Sequence, residues 1–206
     1  NEKSLLVALK AKGMENAGIE KIEQSDIDVV PQLTRLKSNG ADAIFMVANV
    51  GPSAQVMKSL ERMNWNVPVV SHWGPAGGRF SELGGPRAKD VEMIQTFTFS
   101  GNPSPKAAEM MAKLKKHFPE IKGEADVTPA VGIANAYDGM HLAALAIKNA
   151  GSTDGPAVRK GFYNIKSYDG LIKTYEMPFS PEKHDALGPD DLVFTQFIDG
   201  KIIPVK

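Results

Sequence analysis

The chain has 206 residues, 42% of them hydrophobic and 23% charged, which is ordinary globular usage and excludes a disordered or fibrous polypeptide. Lys plus Arg and Asp plus Glu both total 24, so no net field recruits nucleic acid or an anionic membrane surface. There is no cysteine, which removes disulfides, thiolate metal sites and cysteine nucleophiles together and leaves the redox compartment open.

The periodicity predicts a helix over residues 2–12 with Leu5, Leu6 and Leu9 on one face. Because Asn1 is no initiator and this helix starts at once, the chain is expected to begin mid-fold, as part of a longer polypeptide. Ile19 to Glu23 reads as a strand. A second helix over Pro31 to Ser38 carries Leu33 and Leu36 and stops at Gly40. The run Ala43 to Ala48 then reads as a buried parallel strand.

Gly51-Pro52 opens a third helix, with Val56, Met57, Leu60 and Met63 inward. Val67 to Val70 is a strand, followed by the glycine-rich turn Gly74 to Gly78, a short helix over Arg79 to Leu83 and a strand from Val91 to Phe99. Helices and apolar strands in alternation predict a parallel sheet between helices, with right-handed crossovers.

After Ser100-Gly101-Asn102-Pro103 the pattern turns helical. Ser104-Pro105 starts a helix with an Ala107, Met110, Met111, Leu114, Phe118 stripe, stopped by Pro119. A deeply buried helix from Pro129 to Asn149 and another from Asp154 to Tyr163 follow, with Gly151 between them. Leu171 to Met177 and Leu192 to Val205 read as strands, the latter folded at Asp199-Gly200. These helices have no sheet of their own, so they are assigned to a second lobe whose sheet precedes Asn1. The longest apolar stretch, Val131 to Ala150, is interrupted by Asn135, Asp138 and His141 and does not read as a membrane span.

Three groups of residues carry a family resemblance. Pro31 to Lys37 followed by Gly40-Ala41-Asp42-Ala43-Ile44-Phe45, then Ala136-Tyr137-Asp138-Gly139-Met140 with Ile147 to Ser152, then Tyr168-Asp169-Gly170-Leu171-Ile172 occur in order from end to end. In that order and spacing the chain resembles the periplasmic solute-binding proteins of the branched-chain amino acid transporter class. The resemblance implies an α/β type I periplasmic binding fold, two Rossmann-like lobes with parallel sheets flanked by helices, the N-terminal block of the first lobe being absent here. It places residues 1–98 in the second lobe, 99–172 in the first, and 173–206 in a crossover and final strands returning to the second. It further implies a small-molecule solute, a membrane permease of an ABC transporter as partner, a monomer when full length, a secreted or lipid-anchored extracytoplasmic location, no cofactor and no catalysis. A ligand-sensing domain of a receptor or regulator with the same fold is the alternative.

Ligands in open parallel sheets bind beyond the carboxyl ends of strands. Two loops qualify, Asn49-Val50-Gly51-Pro52-Ser53 at a helix start and Ser71-His72-Trp73-Gly74. Asn49, Val50, Ser53, Ser71, His72, Trp73 and Gly74 are therefore the candidate ligand residues, with Asn135 on its apolar helix as an eighth. Each has a plainer reading: a helix cap for Asn49 and Ser53, packing under the turn for Trp73, the end of a strand for His72 and a satisfied core amide for Asn135. An indole beside a glycine offers a flat apolar wall and one N–H donor, suited to an aromatic or aliphatic organic solute. By the resemblance, the solute is an amino acid, aromatic acid, amide or other carboxylate; amino acid binders place an acidic residue near this loop, a role Trp73 cannot fill, so the solute either lacks an α-amino group or is held differently.

Catalytic readings find little support. His72, His117, His141 and His184 have no zinc-ligand spacing, and the glycines from Gly74 to Gly85 match neither a dinucleotide nor a phosphate-loop pattern. Asp190-Asp191 beside Gly188-Pro189 reads as solvated charge in an exposed turn.

Overall fold

A computed structural model describes residues 2–101 and 104–205. It divides into two compact units, residues 1–94 with 194–206, and residues 95–193. Part of the expected turn at Ser100 to Pro103, namely Asn102 and Pro103, lies outside the described residues.

The first unit holds helices α1 (Glu2–Ala11), α2 (Val30–Ser38), α3 (Val50–Arg62) and the short α4 (Phe80–Leu83). Its strands are β1 (Ile44–Met46), β2 (Val69–Ser71), β3 (Val91–Gln95, whose last residue belongs to the second unit), β6 (Val193–Ile198, whose first residue belongs to the second unit) and β7 (Lys201–Pro204), ordered β1-β2-β3-β6-β7 in one sheet. β1, β2 and β3 are parallel, with Ile44 opposite Val69 and Val69 opposite Val91. β6 and β7 form an antiparallel hairpin. Asp199 and Gly200 make its turn, both at positive φ (50° and 74°), the geometry that matches the twist of paired strands.

The sheet and α3 enclose one core, in which Met57, Leu60, Phe80, Val91 and Met93 are wholly buried and the rings of Phe80 and Phe197 lie 5.6 Å apart. Two strands are shorter than the apolar runs that predict them, β3 because its run continues into buried loop and β1 with an exposed Val47 beyond its end. β1 ends at Met46 rather than Ala48, and β3 at Gln95 rather than Phe99, while Thr96 to Phe99 stay buried without strand structure. The expected strand at Ile19 to Glu23 does not form, since no neighbouring strand pairs with it.

The second unit contains α5 (Pro105–His117), α6 (Ala130–Ala150), α7 (Gly155–Tyr163) and the antiparallel pair β4 (Ser167–Asp169) and β5 (Thr174–Glu176). Phe118, placed by periodicity in the α5 stripe, falls after the helix end and is exposed. The α6 helix is one-sided rather than deeply buried: Ala130, Ala134, Asp138, Leu142 and Ala146 recur every four residues on the inward stripe, while Met140 and Ile147 face solvent. α7 packs close against it where Gly161 meets the Ala146 carbonyl, leaving no room for a Cβ. The strand expected from Leu171 to Met177 shrinks to β5, and β4, which periodicity did not reveal, becomes its partner.

Candidate functional site

Because β1 and β2 are parallel, the loops that follow them leave the same edge of the first unit. Asn49 is the N-cap of α3 with extended backbone (φ −77°, ψ 178°), and its exposed side chain makes no capping bond. The first-turn N–H groups of Val50 and Gly51 have no acceptor within the helix. Ser53 differs: it is fully buried, its hydroxyl donates to the Ala48 carbonyl (3.0 Å) and its N–H to the Asn49 carbonyl (3.0 Å). Ser71 is likewise buried, with its hydroxyl donated to the Met46 carbonyl at 2.8 Å across the β1–β2 pair. Both serines thus spend their hydroxyls on the main chain behind the loops.

The turn after β2 is held by its own side chain. The Gly74 N–H donates to Nδ1 of His72 at 2.7 Å, which requires the neutral ring to carry its proton on Nε2. Any Cβ at Gly74 would overlap both the His72 ring and the Ala48 carbonyl, so the close approach of the two loops demands glycine. Pro75 and Ala76 are buried beneath, and the Ala76 N–H donates to the Trp73 carbonyl at 3.0 Å. Trp73 is left 50% exposed on this rigid base, its ring near-parallel to His72 at 6.4 Å between centroids. Val50 reaches the same turn, 3.5 Å from where a Cβ on Gly78 would stand.

The structure therefore brings Asn49, Val50, His72, Trp73 and Gly74 together on one edge, with Ser53 and Ser71 as inward supports. The assembled surface offers a flat indole, one indole N–H, a carboxamide and helix-start amides, a set suited to holding a planar solute and its anionic or carbonyl oxygen. Among the described residues no group of three or more His, Asp or Glu side chains is placed to hold a metal ion. A cavity of about 1040 Å³ in this unit lies elsewhere, beside α1 and β1, and includes neither Asn49 nor Trp73.

Asn135 belongs to the second unit, on the exposed side of α6. Its Nδ2 donates to the Val131 carbonyl (2.8 Å) and the Thr96 hydroxyl (3.0 Å), so the amide ties α6 to the segment after β3. Nearby in sequence, Gln95 is 1% exposed and its Nε2 has no partner among the described residues. Its only signal in the sequence is a carboxamide interrupting an apolar run.

The contacts of Asp138 hold α6 to the β4–β5 hairpin. Fully buried, Asp138 accepts the N–H groups of Leu171 (2.6 Å) and Ile172 (2.9 Å) and the hydroxyl of Tyr175 (2.9 Å). Burial first, and then the bond to Asp138, push the Tyr175 phenol above its ordinary pKa. Burial and the Asp138 charge raise Tyr168 to about 12. Asp191, expected to be solvated, is half-buried and paired with Lys173 at 2.5 Å, because the turn folds back onto the β4–β5 hairpin.

The sequence profile of the family described as "Periplasmic binding protein" matches residues 1–201. The chain belongs to that family. Its members are solute-binding proteins, and type I periplasmic binding proteins share its fold. A type 1 periplasmic binding protein from Bordetella pertussis Tohama I superposes with a TM-score of 0.81 at 22% identity, covering 97% of this chain and 56% of its own. A solute-binding protein of an ABC transporter from R. palustris, solved with 4-hydroxybenzoate, gives 0.74 at 18% identity, covering 100% and 55%. A leucine binding protein, LivK, from Thermotoga maritima gives 0.70 at 16% identity, covering 90% and 49%. This chain spans about half the length of these relatives. No curated protein matches it.

Proposed function

We propose that this chain is part of the extracytoplasmic solute-binding component of an ABC transporter, and that Asn49, Val50, His72, Trp73 and Gly74 form one wall of its solute site. The two units correspond in this reading to the parts of two lobes, and a membrane permease receives the solute. The observation that carries it is Trp73, a half-exposed indole fixed by the His72–Gly74 bond at the carboxyl end of a parallel strand. A large aromatic ring held rigidly in solvent has little packing value and much value as a binding wall. The unspent Asn49 side chain and the adjacent helix amides supply a place for a carboxylate or carbonyl. The solute class this surface favours is a planar organic acid. That 4-hydroxybenzoate is bound by a structural relative supports the choice.

The chain carries two tryptophans, Trp65 in the core and Trp73 in the turn, so Trp65→Phe isolates the second as a reporter. In the longest natural polypeptide that contains this chain, titration with 4-hydroxybenzoate is expected to change Trp73 emission saturably, while isoleucine does not. Trp73→Ala should weaken binding at least about tenfold by calorimetry while changing stability by under about 0.5 kcal/mol, as surface substitutions usually do. Unchanged affinity in Trp73→Ala would remove the site from this edge.

A further inference from the structure

The turn that presents Trp73 closes on a group that can change its charge. The Gly74 N–H donates to His72 Nδ1 at 2.7 Å, two residues back along the chain, and neither this amide nor the ring hydrogen-bonds any other described residue. Such a bond is the side-chain counterpart of a backbone turn, the role in which an asparagine or aspartate oxygen accepts from the amide two residues on. Here the acceptor is an imidazole nitrogen, which accepts only while it carries no proton.

Nothing around the ring can take over from this bond. Gly74 sits against both the His72 ring and the Ala48 carbonyl with no room for a Cβ, so the turn has no slack toward the neighbouring loop. Nε2 has no partner among the described residues and is not a buried atom, so the ring meets solvent there and is tied only through Nδ1. The elements packed beside it bring no ionic partner. Residues 47–53 and 73–78 contain no titratable side chain, and neither does β1. On β3 the one charged residue, Glu92, stands opposite Val70 in register, and the charges of α3 begin only at Lys58. Arg79 and Glu82, the next charged residues along the chain, pair with each other.

A histidine passes from neutral to charged between about pH 8 and about pH 5. In this turn the incoming proton goes to Nδ1, because Nε2 already carries one. Nδ1–H then faces the Gly74 N–H, donor against donor, and the turn opens.

We propose that His72 is a positioning residue for Trp73 that works as a proton-operated catch: the neutral ring seats the indole and the imidazolium releases it. This rests on the reading of Trp73 as a wall of the solute site, and its consequence is a solute held at neutral pH and let go in acid. The coupling is reciprocal, so bound solute and a charged ring disfavour one another. The opposite sign belongs to a ring that touches the solute directly, since an imidazolium against a carboxylate binds it more tightly in acid. A carboxylate solute keeps its charge across the range, ordinary carboxyl values being about 4, so the sign reports on the protein.

The test uses the longest natural polypeptide that contains this chain and 4-hydroxybenzoate, the ligand solved with a structural relative. Affinity by calorimetry is expected to fall at least about fivefold from about pH 8 to about pH 5.5, a loss that one hydrogen bond can supply. His72→Asn, whose oxygen accepts from Gly74 without titrating, is expected to bind with no such pH dependence and more tightly than His72→Phe, which offers no acceptor. In solute-free wild type carrying isotope-labelled glycine, the Gly74 amide proton should move upfield over the same pH range. A Gly74 amide that does not titrate overturns the proposal, as does a His72→Asn affinity that follows the wild-type pH course, or a wild-type affinity that rises in acid. A Gly74 amide that titrates while 4-hydroxybenzoate binding is flat or absent at every pH supports the catch and overturns the reading of Trp73 as the solute wall.

Discussion

The turn after β2 in the first unit and the β4–β5 hairpin in the second use the same device to opposite ends. Each sets a glycine where any side chain would strike polar atoms: Gly74 against the His72 ring and the Ala48 carbonyl, Gly170 against Asp138 and Tyr175. At Gly170 the close approach lets two main-chain N–H groups and a phenol converge on one buried carboxylate, and nothing polar is left over. At Gly74 the approach consumes one histidine nitrogen and leaves the indole, the Asn49 carboxamide and two helix amides facing solvent. The polar inventory, more than the depth of burial, separates a clamp from the proposed binding edge.

The largest expected effect breaks the clamp. Asp138→Ala leaves three buried donors without their acceptor, and at about 1–3 kcal/mol for each unsatisfied group, partly relieved by water, the loss should be about 3–5 kcal/mol. Urea unfolding would show it as a lowered midpoint. A loss below about 1 kcal/mol would mean that Leu171 packing holds the hairpin, and the contrast between the two glycine sites would fall.

A smaller effect is expected at the other glycine. Gly74→Ala forces the His72 ring or the Ala48 carbonyl aside, at the cost of about 1–3 kcal/mol typical of overpacking. The site should suffer more than the fold: Trp73 emission in the Trp65→Phe background is expected to shift even where the melting temperature falls by only a few degrees. A shifted melting point with unaltered Trp73 emission would show that the turn can be re-laid without moving the wall.

Much of this was legible in the sequence, and the failures share a cause. Period-3.6 leucine spacing located α1, α2 and α3 closely, because each buries or half-buries one face. The Asp199-Gly200 turn was readable from residue chemistry alone. The length of β3 was overestimated because apolar runs record burial, and Thr96 to Phe99 are buried without being strand, while at β1 the run carries on into an exposed Val47. Ile19 to Glu23 has the composition of a strand, yet a strand exists only with a partner, and no described strand lies beside it. At the candidate site, Trp73 and Asn49 stood out as residues that a core does not need. The inward roles of Ser53 and Ser71 were invisible, since a hydroxyl's target lies one strand or one turn away and leaves no mark on spacing.

The smallest expected effect sharpens the description of the clamp. Asp191 bonds Lys173 at 2.5 Å and accepts the Gly188 N–H at 2.7 Å, and the Lys173 ammonium lies 5.5 Å from the Tyr175 ring that caps Asp138. Burial pushes the Asp191 carboxyl up, but the Lys173 bond and the Gly188 N–H together outweigh it and hold the group below its ordinary value of 3.8. A depressed carboxyl stabilises the fold above the unfolded value and loses that contribution as pH falls through the folded one. Asp191→Asn should therefore cost about 1 kcal/mol at pH 7, in line with a half-exposed ion pair, and the gap to wild type should close below pH about 4. Lys173→Met should show the same pH dependence if the ion pair is the source. If instead the Asp191→Asn gap persists unchanged at acid pH, the Gly188 N–H alone supports the turn, and the clamp ends at Tyr175 instead of extending to the loop behind it.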